Sequence, residues 1–115
     1  MSFNRGEIWL ANLNPTQGSE QEGIRPVIVF QNKVISQFST TIIVIPLTTN
    51  LRRTKLPSSL LIAAGEGGLN KNSVALCHQL RVIDRLRLSK KLGQLKLETV
   101  ADLEAKVLLT LGYQL

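Results

Sequence analysis

The fold of this chain is decided by two apolar runs, RPVIVF at residues 25–30 and IIVIPLTT at residues 42–49. Valine and isoleucine dominate both runs, and β-branched residues favour extended strands. An arginine opens the first run and threonines close the second. A polar, glycine-bearing segment at 14–24 precedes the first run, and the basic segment 50–55 follows the second. We therefore expect two rigid strands that each present a polar side chain beside a loop.

Short strands flank these two runs on both sides. Their patterns alternate or are rich in β-branched residues, and Gly, Pro and Asn separate them. The sequence predicts strands at residues 8–12, 26–31, 41–47, 59–62 and 73–83, the last as one long bent strand or as two. The segment SKKLG at 89–93 favours a short helical turn.

The last part of the chain changes to a helical period. From residue 97 onward, Val100, Leu103, Val107 and Leu111 recur at three- and four-residue spacing, which is typical of one helix face. Gly112 stands where a C-terminal cap belongs. These features predict an amphipathic helix of about four turns.

A single helix at the end of the chain bears on the choice of fold class. Parallel, doubly wound sheets need helices between their strands, and the sequence offers none there. Short antiparallel strands need closure or cover for their edges. We therefore expect a mainly β protein, a small and partly open barrel with a C-terminal helix, in which residues 1–115 form one domain.

Cysteine use and hydropathy indicate the compartment. The only cysteine, Cys77, cannot form an internal disulfide, and the segment after Met1 shows no signal-peptide pattern. No apolar run approaches the roughly 20 residues of a membrane helix. We expect a cytoplasmic protein without a membrane partner.

Positive charge is concentrated in the middle of the sequence. Residues 25–96 carry twelve Lys and Arg against Glu66 and Asp84, a balance of +10, whereas the segments before and after are each at −2. Such a block attracts polyanions, and binding to nucleic acid would then depend steeply on salt. A merely solvated basic surface is the alternative interpretation of the charge alone.

The sequence is poor in the residues of the common catalytic sites. It has one histidine, His78, one cysteine and two aspartates, without the spacing of metal ligands. Cys77 and His78 are neighbours, so on a strand they point to opposite faces and do not form a nucleophile–base pair. We expect Cys77 in the core, His78 as an ordinary strand residue, Trp9 in packing, and no metal or other cofactor.

Cleavage of RNA requires none of these groups, because the substrate carries its own nucleophile, the 2′-hydroxyl. The protein must align this oxygen with the leaving oxygen and stabilise the charge that develops on the phosphorus centre. Arginine can grip two phosphate oxygens, and threonine has a hydroxyl that donates and accepts. Arg25 and Thr48 are side chains of these two types at the edges of the central runs, although each could simply mark a strand end.

Five motifs occur in an order and spacing that resemble the MazF/PemK family of toxin endoribonucleases. They are RGEIW at 5–9, NPTQGSE at 14–20, GIRP at 23–26, PLTT at 46–49 and LRVIDRLRL at 80–88. The resemblance implies an SH3-like, partly open barrel with a C-terminal helix, the CcdB/MazF-type plasmid maintenance toxin fold. It also implies a homodimer.

The same resemblance implies the site residues. Arg25 and Thr48 match the catalytic positions, where the family has acid and base roles. An arginine base conflicts with the very high pKa of guanidinium groups in general, so we favour electrostatic stabilisation for Arg25. The substrate-binding residues are expected to be Ser19, Thr49, Arg52, Arg53, Lys55 and Gln79.

The leading hypothesis is a metal-independent mRNA interferase that cleaves single-stranded RNA to 2′,3′-cyclic phosphate and 5′-hydroxyl ends. The resemblance implies a cognate antitoxin with an acidic, disordered tail, and the loops at 14–24 and 49–57 are expected to set the cleavage sequence. One alternative is a non-enzymatic, CcdB-like toxin that binds a protein target such as gyrase. Another is a nucleic-acid-binding barrel without catalysis, for which exposed aromatics are few.

Overall fold

The computed structural model describes residues 2–15, 17–18, 20 and 23–113, and within them the protein is mainly β. Its strands are β1 (Glu7–Asn12), β2 (Ile24–Val29), β3 (Thr41–Thr48), β4 (Ser59–Ile62), β5 (Ser73–Leu76), β6 (Arg81–Asp84) and β7 (Leu88–Gln94). A one-turn helix, α1 (Lys33–Ser36), follows β2, and a longer helix, α2 (Leu97–Thr110), follows β7. Short 3-10 turns cover Leu51–Lys55, Glu66–Gly68, Cys77–Gln79 and Arg85–Arg87.

All strand pairs that the structure describes are antiparallel, and the sheet they form does not close. The order is β4-β5-β3-β2-β1-β7, which leaves β4 and β7 at the ends. The long strand β3 pairs with β2 along one edge, whereas its other edge is shared between β6, beside its first half, and β5, beside its second half. The predicted class, an open antiparallel β architecture with a C-terminal helix, is confirmed.

The sheet is buried on both faces, which explains why the two central runs are apolar without interruption. Along β2, Ile28 contributes to the cluster that α2 covers, while Val27 and Val29 contribute to a second cluster on the opposite face. In β3, Ile45 belongs to the first cluster and Val44 to the second. Successive strand residues point to opposite faces, so two cores need apolar residues at every position.

Glu7 is a buried carboxylate within the second face. The residue is 4% exposed, and its carboxylate accepts hydrogen bonds from Trp9 Nε1 at 3.0 Å, Asn4 Nδ2 at 3.1 Å and Lys91 Nζ at 3.3 Å. Burial by itself raises the pKa of Glu7, but the hydrogen bonds from Trp9, Asn4 and Lys91 together hold this pKa below its ordinary value. Trp9 itself is buried in the second cluster, with its ring centroid 4.9 Å from that of Phe3, so it is a packing residue as the sequence predicts.

Helix α2 covers the first cluster with Leu103 and Val107, and Val100 packs at its edge. It ends in a Schellman motif: Gly112 has φ +90°, Tyr113 N donates to Leu108 O at 2.9 Å, and Gly112 N donates to Leu109 O at 3.0 Å. The predicted helix is therefore confirmed. None of the helices in the described residues is long and apolar enough to cross a membrane.

Three local predictions are wrong. The segment 89–93 is not helical, because it lies in β7 and supplies the partner that the outer edge of β1 needs. His78 lies in a 3-10 turn, where the chain leaves β5 and returns as β6, and not in a strand. Leu111 is 59% exposed, since the part of α2 that packs on the sheet ends before it.

Candidate active site

Arg25 and Thr48 lie at the same end of two neighbouring strands. In the ladder between β2 and β3, Val29 pairs with Val44 and Val27 pairs with Pro46. Arg25 precedes Val27 by two residues and Thr48 follows Pro46 by two residues, so both lie beyond the same end of this ladder. By strand alternation both side chains take the face of the second cluster, which carries Val27 and Val44. We call this end of the sheet, between the start of β2 and the end of β3, the rim.

The Thr48 hydroxyl is held in a defined orientation. Its side chain is 7% exposed, and Oγ1 accepts a hydrogen bond from the backbone N of Asn50 at 3.2 Å. Because a hydroxyl can accept and donate at once, this contact leaves its proton for a second partner. An oxygen of a phosphate placed at the rim would be such a partner.

A basic turn follows Thr48 directly. Asn50 caps the 3-10 turn Leu51–Lys55 by accepting from the backbone N of Arg52 at 3.2 Å, and Thr54 Oγ1 donates to Leu51 O at 2.7 Å. Thr49, Arg52 and Lys55 are exposed and Arg53 is half-buried. The predicted substrate-binding residues Thr49, Arg52, Arg53 and Lys55 therefore form one cationic segment that begins at the rim.

Gln79 and Ser19 are the other two predicted substrate-binding residues, and the structure describes only the first of them. Gln79 is half-buried in the turn Cys77–Gln79, which connects β5 to β6. Strand β5 pairs with the end of β3 and strand β6 with the beginning of β3, both along the same edge. Gln79 therefore flanks β3 on the edge away from Arg25. Ser19 lies outside the described residues.

Sequence reasoning missed the arginines that hold the β1–β2 connection. Arg87 Nη1 donates to Asn12 O at 3.0 Å and to Asn14 O, and Gly23 N donates to Asn14 Oδ1 at 3.0 Å. Arg81 forms an ion pair with Glu20 across 3.7 Å. Both arginines were counted only as part of the central charge. No signal in a single sequence distinguishes them from the other cations of that block.

The cysteine and the histidine are the other residues of common catalytic types, and neither belongs to the rim. Burial raises the pKa of the Cys77 thiol to about 11, so it stays protonated, and its side chain is in the core as predicted. Burial, with the Arg53 charge, lowers the pKa of His78. Nδ1 of His78 lies 3.2 Å from Ser58 Oγ, away from the rim on the side of the α2 C-terminus, since Leu109 and Thr110 line the same cavity.

An open antiparallel sheet with a C-terminal helix is the fold of the CcdB/MazF-type plasmid maintenance toxins, and here it carries an arginine and a threonine at one rim. The model of the PemK-like, MazF-like toxins of type II toxin-antitoxin systems matches residues 4–111. The chain belongs to this family.

Individual relatives agree with the family assignment. The chain is 38% identical over 110 residues to Endoribonuclease MazF of Staphylococcus saprophyticus, covering 96% of this chain and 92% of that protein. MazF of Deinococcus radiodurans shares the fold with a TM-score of 0.83 and 23% identity, over 97% of this chain and 98% of the other. A MazE-MazF structure from the same organism matches with a TM-score of 0.78 and 19% identity, over 99% of both chains.

Proposed function

We propose that this protein is the endoribonuclease toxin of a type II toxin-antitoxin system, an mRNA interferase that cleaves single-stranded RNA in the cytoplasm without a metal ion. Its family and its 38% identity to Endoribonuclease MazF support the activity. One observation links the proposal to particular residues: Arg25 and Thr48 lie on the same face of the sheet and at the same rim.

In the proposed reaction the substrate supplies the nucleophile. The 2′-oxygen of a ribose attacks the adjacent phosphorus, a bond from phosphorus to this oxygen forms, and the bond from phosphorus to the 5′-oxygen of the next nucleotide breaks. The 2′-hydroxyl loses its proton and the leaving 5′-oxygen gains one. The products are therefore a 2′,3′-cyclic phosphate and a 5′-hydroxyl.

Arg25 stabilises the charge of this reaction. A guanidinium is a planar cation that can hold two phosphate oxygens, so it counters the negative charge that builds up in the transition state. Thr48 donates its hydroxyl hydrogen to the same phosphate while Asn50 N fixes the oxygen. Together the two side chains align the phosphate for in-line displacement.

The basic turn after Thr48 guides the RNA backbone, and Gln79 and Ser19 contact phosphate or base. Three cations within residues 51–55 raise the local concentration of a polyanion and extend the binding surface away from the rim. The protein acts as a homodimer, in which two such surfaces form a continuous groove.

A cognate antitoxin inhibits the protein. A type II system pairs a toxin with a protein antitoxin, and the fold of this chain matches the MazE-MazF structure. An acidic, disordered tail would fold onto the basic surface and exclude RNA by occupying the same cations.

A CcdB-like toxin that only binds a protein target is not favoured. The family model is that of PemK-like and MazF-like toxins, and the curated relative at 38% identity is an endoribonuclease.

Incubation of the purified protein with a long RNA in EDTA tests the proposal. Discrete fragments should appear with 5′ ends that polynucleotide kinase can phosphorylate directly and 3′ ends that carry a cyclic phosphate. The Lys33→Ala variant, changed in α1 beyond the far end of β2, should cut like the parent protein. Intact RNA, or fragments with 5′-phosphates, would contradict the proposal.

A further inference from the structure

A cavity of about 320 Å³ opens at the rim on the face opposite to Arg25 and Thr48. Its floor is apolar and consists of Leu10, Pro26, Leu69 and Leu92. Leu69 is buried, while the other three are half-buried and present apolar surface to the opening. The volume is at the lower end of the range for small-molecule sites, so the cavity suits one small planar group.

Polar side chains stand at the mouth of this cavity. Thr49, Asn70 and Lys71 line it and are exposed. Among the described residues, none of these three side chains takes part in a hydrogen bond or an ion pair. An apolar floor with a few convergent donors and acceptors is the usual composition of a ligand site.

The wall of the cavity is rigid because a glycine turn is pressed against β7. Gly68 has φ +78°, and a Cβ atom built on it would lie 2.1 Å from Leu92 O. A Cβ on Gly93 would lie 2.4 Å from the carbonyl carbon of Gly67. Backbone contact of this kind fixes Leu69 and Asn70, which follow directly, against the strand that carries Leu92. The cavity is therefore preformed.

The cavity adjoins the candidate catalytic pair along both strands. Pro26 follows Arg25 in β2, and Thr49 follows Thr48 at the end of β3. Because neighbouring strand residues face opposite ways, the pair and the cavity lie on the two sides of one rim. A chain whose phosphate lies between Arg25 and Thr48 reaches the cavity by crossing that rim.

We propose that this cavity binds the base of a nucleotide adjacent to the cleaved phosphate, and that Asn70 and Lys71 determine which base is accepted. The inference rests on the proposed function. Single-stranded RNA is recognised through unstacked bases that are packed on apolar or aromatic surface and hydrogen-bonded at their edges. The floor provides the packing surface for the ring. Asn70 can donate and accept at a base edge, and Lys71 can only donate.

The test is a cleavage-site profile. A pool of RNA with randomised sequence is cut by the parent protein, Asn70→Ala, Lys71→Ala and, as a matched control, Lys33→Ala, and the 5′-hydroxyl ends are sequenced. We expect the parent preference at one position flanking the cut to fall by about tenfold in both cavity variants, because a good side chain–base contact provides discrimination of about this order. Preferences at the other positions should stay unchanged. The control should reproduce the parent profile.

Two results would separate the cavity from the activity. If the parent protein leaves the pool intact, the proposed function is wrong. If the parent cuts and both cavity variants retain its base preference at every position, the base pocket is wrong while the endoribonuclease stands. Thermal unfolding midpoints equal to that of the parent show that the exposed substitutions leave the fold intact.

Discussion

Arg25 and Thr48 lie on one face of the sheet, each two residues beyond the last recorded pair of β2 and β3, Val27 with Pro46. Neither residue is part of the ladder between these two strands. Arg25 pairs instead with Ala11 of β1 and Thr48 with Val74 of β5, and Thr48 is buried, so a direct test of function needs the thermal unfolding midpoint of each variant beside its activity.

Replacing either member of this pair should abolish most of the cleavage. Arg25→Ala removes the charge at the phosphate, and Thr48→Val removes the hydroxyl while keeping the side-chain shape. We expect each to lower kcat by about 100- to 1000-fold, as for the loss of one preorganised donor to a transition state. Single-turnover rates on a short labelled RNA measure the effect. Undiminished cleavage by Arg25→Ala would exclude the proposed role.

RNA binding should depend on the positive charge of the turn Leu51–Lys55. Each phosphate contact to single-stranded nucleic acid contributes about 0.7 to the slope of log K against log salt. We expect the double variant Arg52→Ala/Lys55→Ala to reduce this slope by about 1.4, measured by fluorescence anisotropy with a non-cleavable 2′-deoxy ligand. The matched double variant Lys33→Ala/Lys96→Ala should keep the parent slope. Equal slopes in both variants would place RNA elsewhere on the surface.

Glu7 should make the stability of the protein sensitive to acid. Its pKa is lowered in the folded state, so its contribution is complete above the unfolded value near 4.5 and is lost as the pH falls through the lower, folded value. Glu7→Ala leaves Trp9 Nε1 and Lys91 without their acceptor, and we expect it to cost about 2 kcal/mol at pH 7. Urea unfolding of parent and variant at pH 7 and pH 3 measures both effects. The difference between them should shrink at pH 3.

Replacement of Gly68 should destabilise the protein for two reasons, the positive φ of this residue and the lack of space between it and β7. Gly65 and Gly68 both have positive φ, of +95° and +78°, but a Cβ on Gly65 meets nothing within 4 Å, whereas one on Gly68 meets Leu92 O. Gly65→Ala should cost about 1 kcal/mol for its conformation alone. Gly68→Ala should cost about 2 kcal/mol more, from overpacking. Equal losses in chemical denaturation would show that the turn can move away from β7.

Much of the fold could be predicted because its signals are local. The runs at 25–30 and 42–49 form strands since both faces of the sheet are buried, and the period after residue 97 forms a helix because only one face packs. The segment 89–93 was predicted wrongly because it forms a strand by pairing with β1, and this pairing cannot be inferred from the residues of the segment alone. Tertiary pairing thus overrode the local pattern.

For the candidate site, too, some residues could be proposed from the sequence and others could not. Arg25 and Thr48 were proposed because they lie in motifs that resemble the MazF/PemK family, and their position at one end of two paired strands agrees with a shared site. Asn70 and Lys71 lie between the predicted strands 59–62 and 73–83, and the sequence marks no site there, because the cavity beside them exists through the docking of Gly68 on Leu92. Arg81 and Arg87 could not be told apart from other cations, since their partners lie in the distant β1–β2 connection.

The most direct measurement of the central claim uses one RNA and its single-atom variant. Once a cleavage site is mapped, an oligonucleotide is made with ribose at that position and another with 2′-deoxyribose only there. The 2′-oxygen is the proposed nucleophile, so the first should be cut to a 2′,3′-cyclic phosphate and the second should remain intact while binding equally well. Cleavage of the 2′-deoxy substrate at the same phosphate would contradict the mechanism.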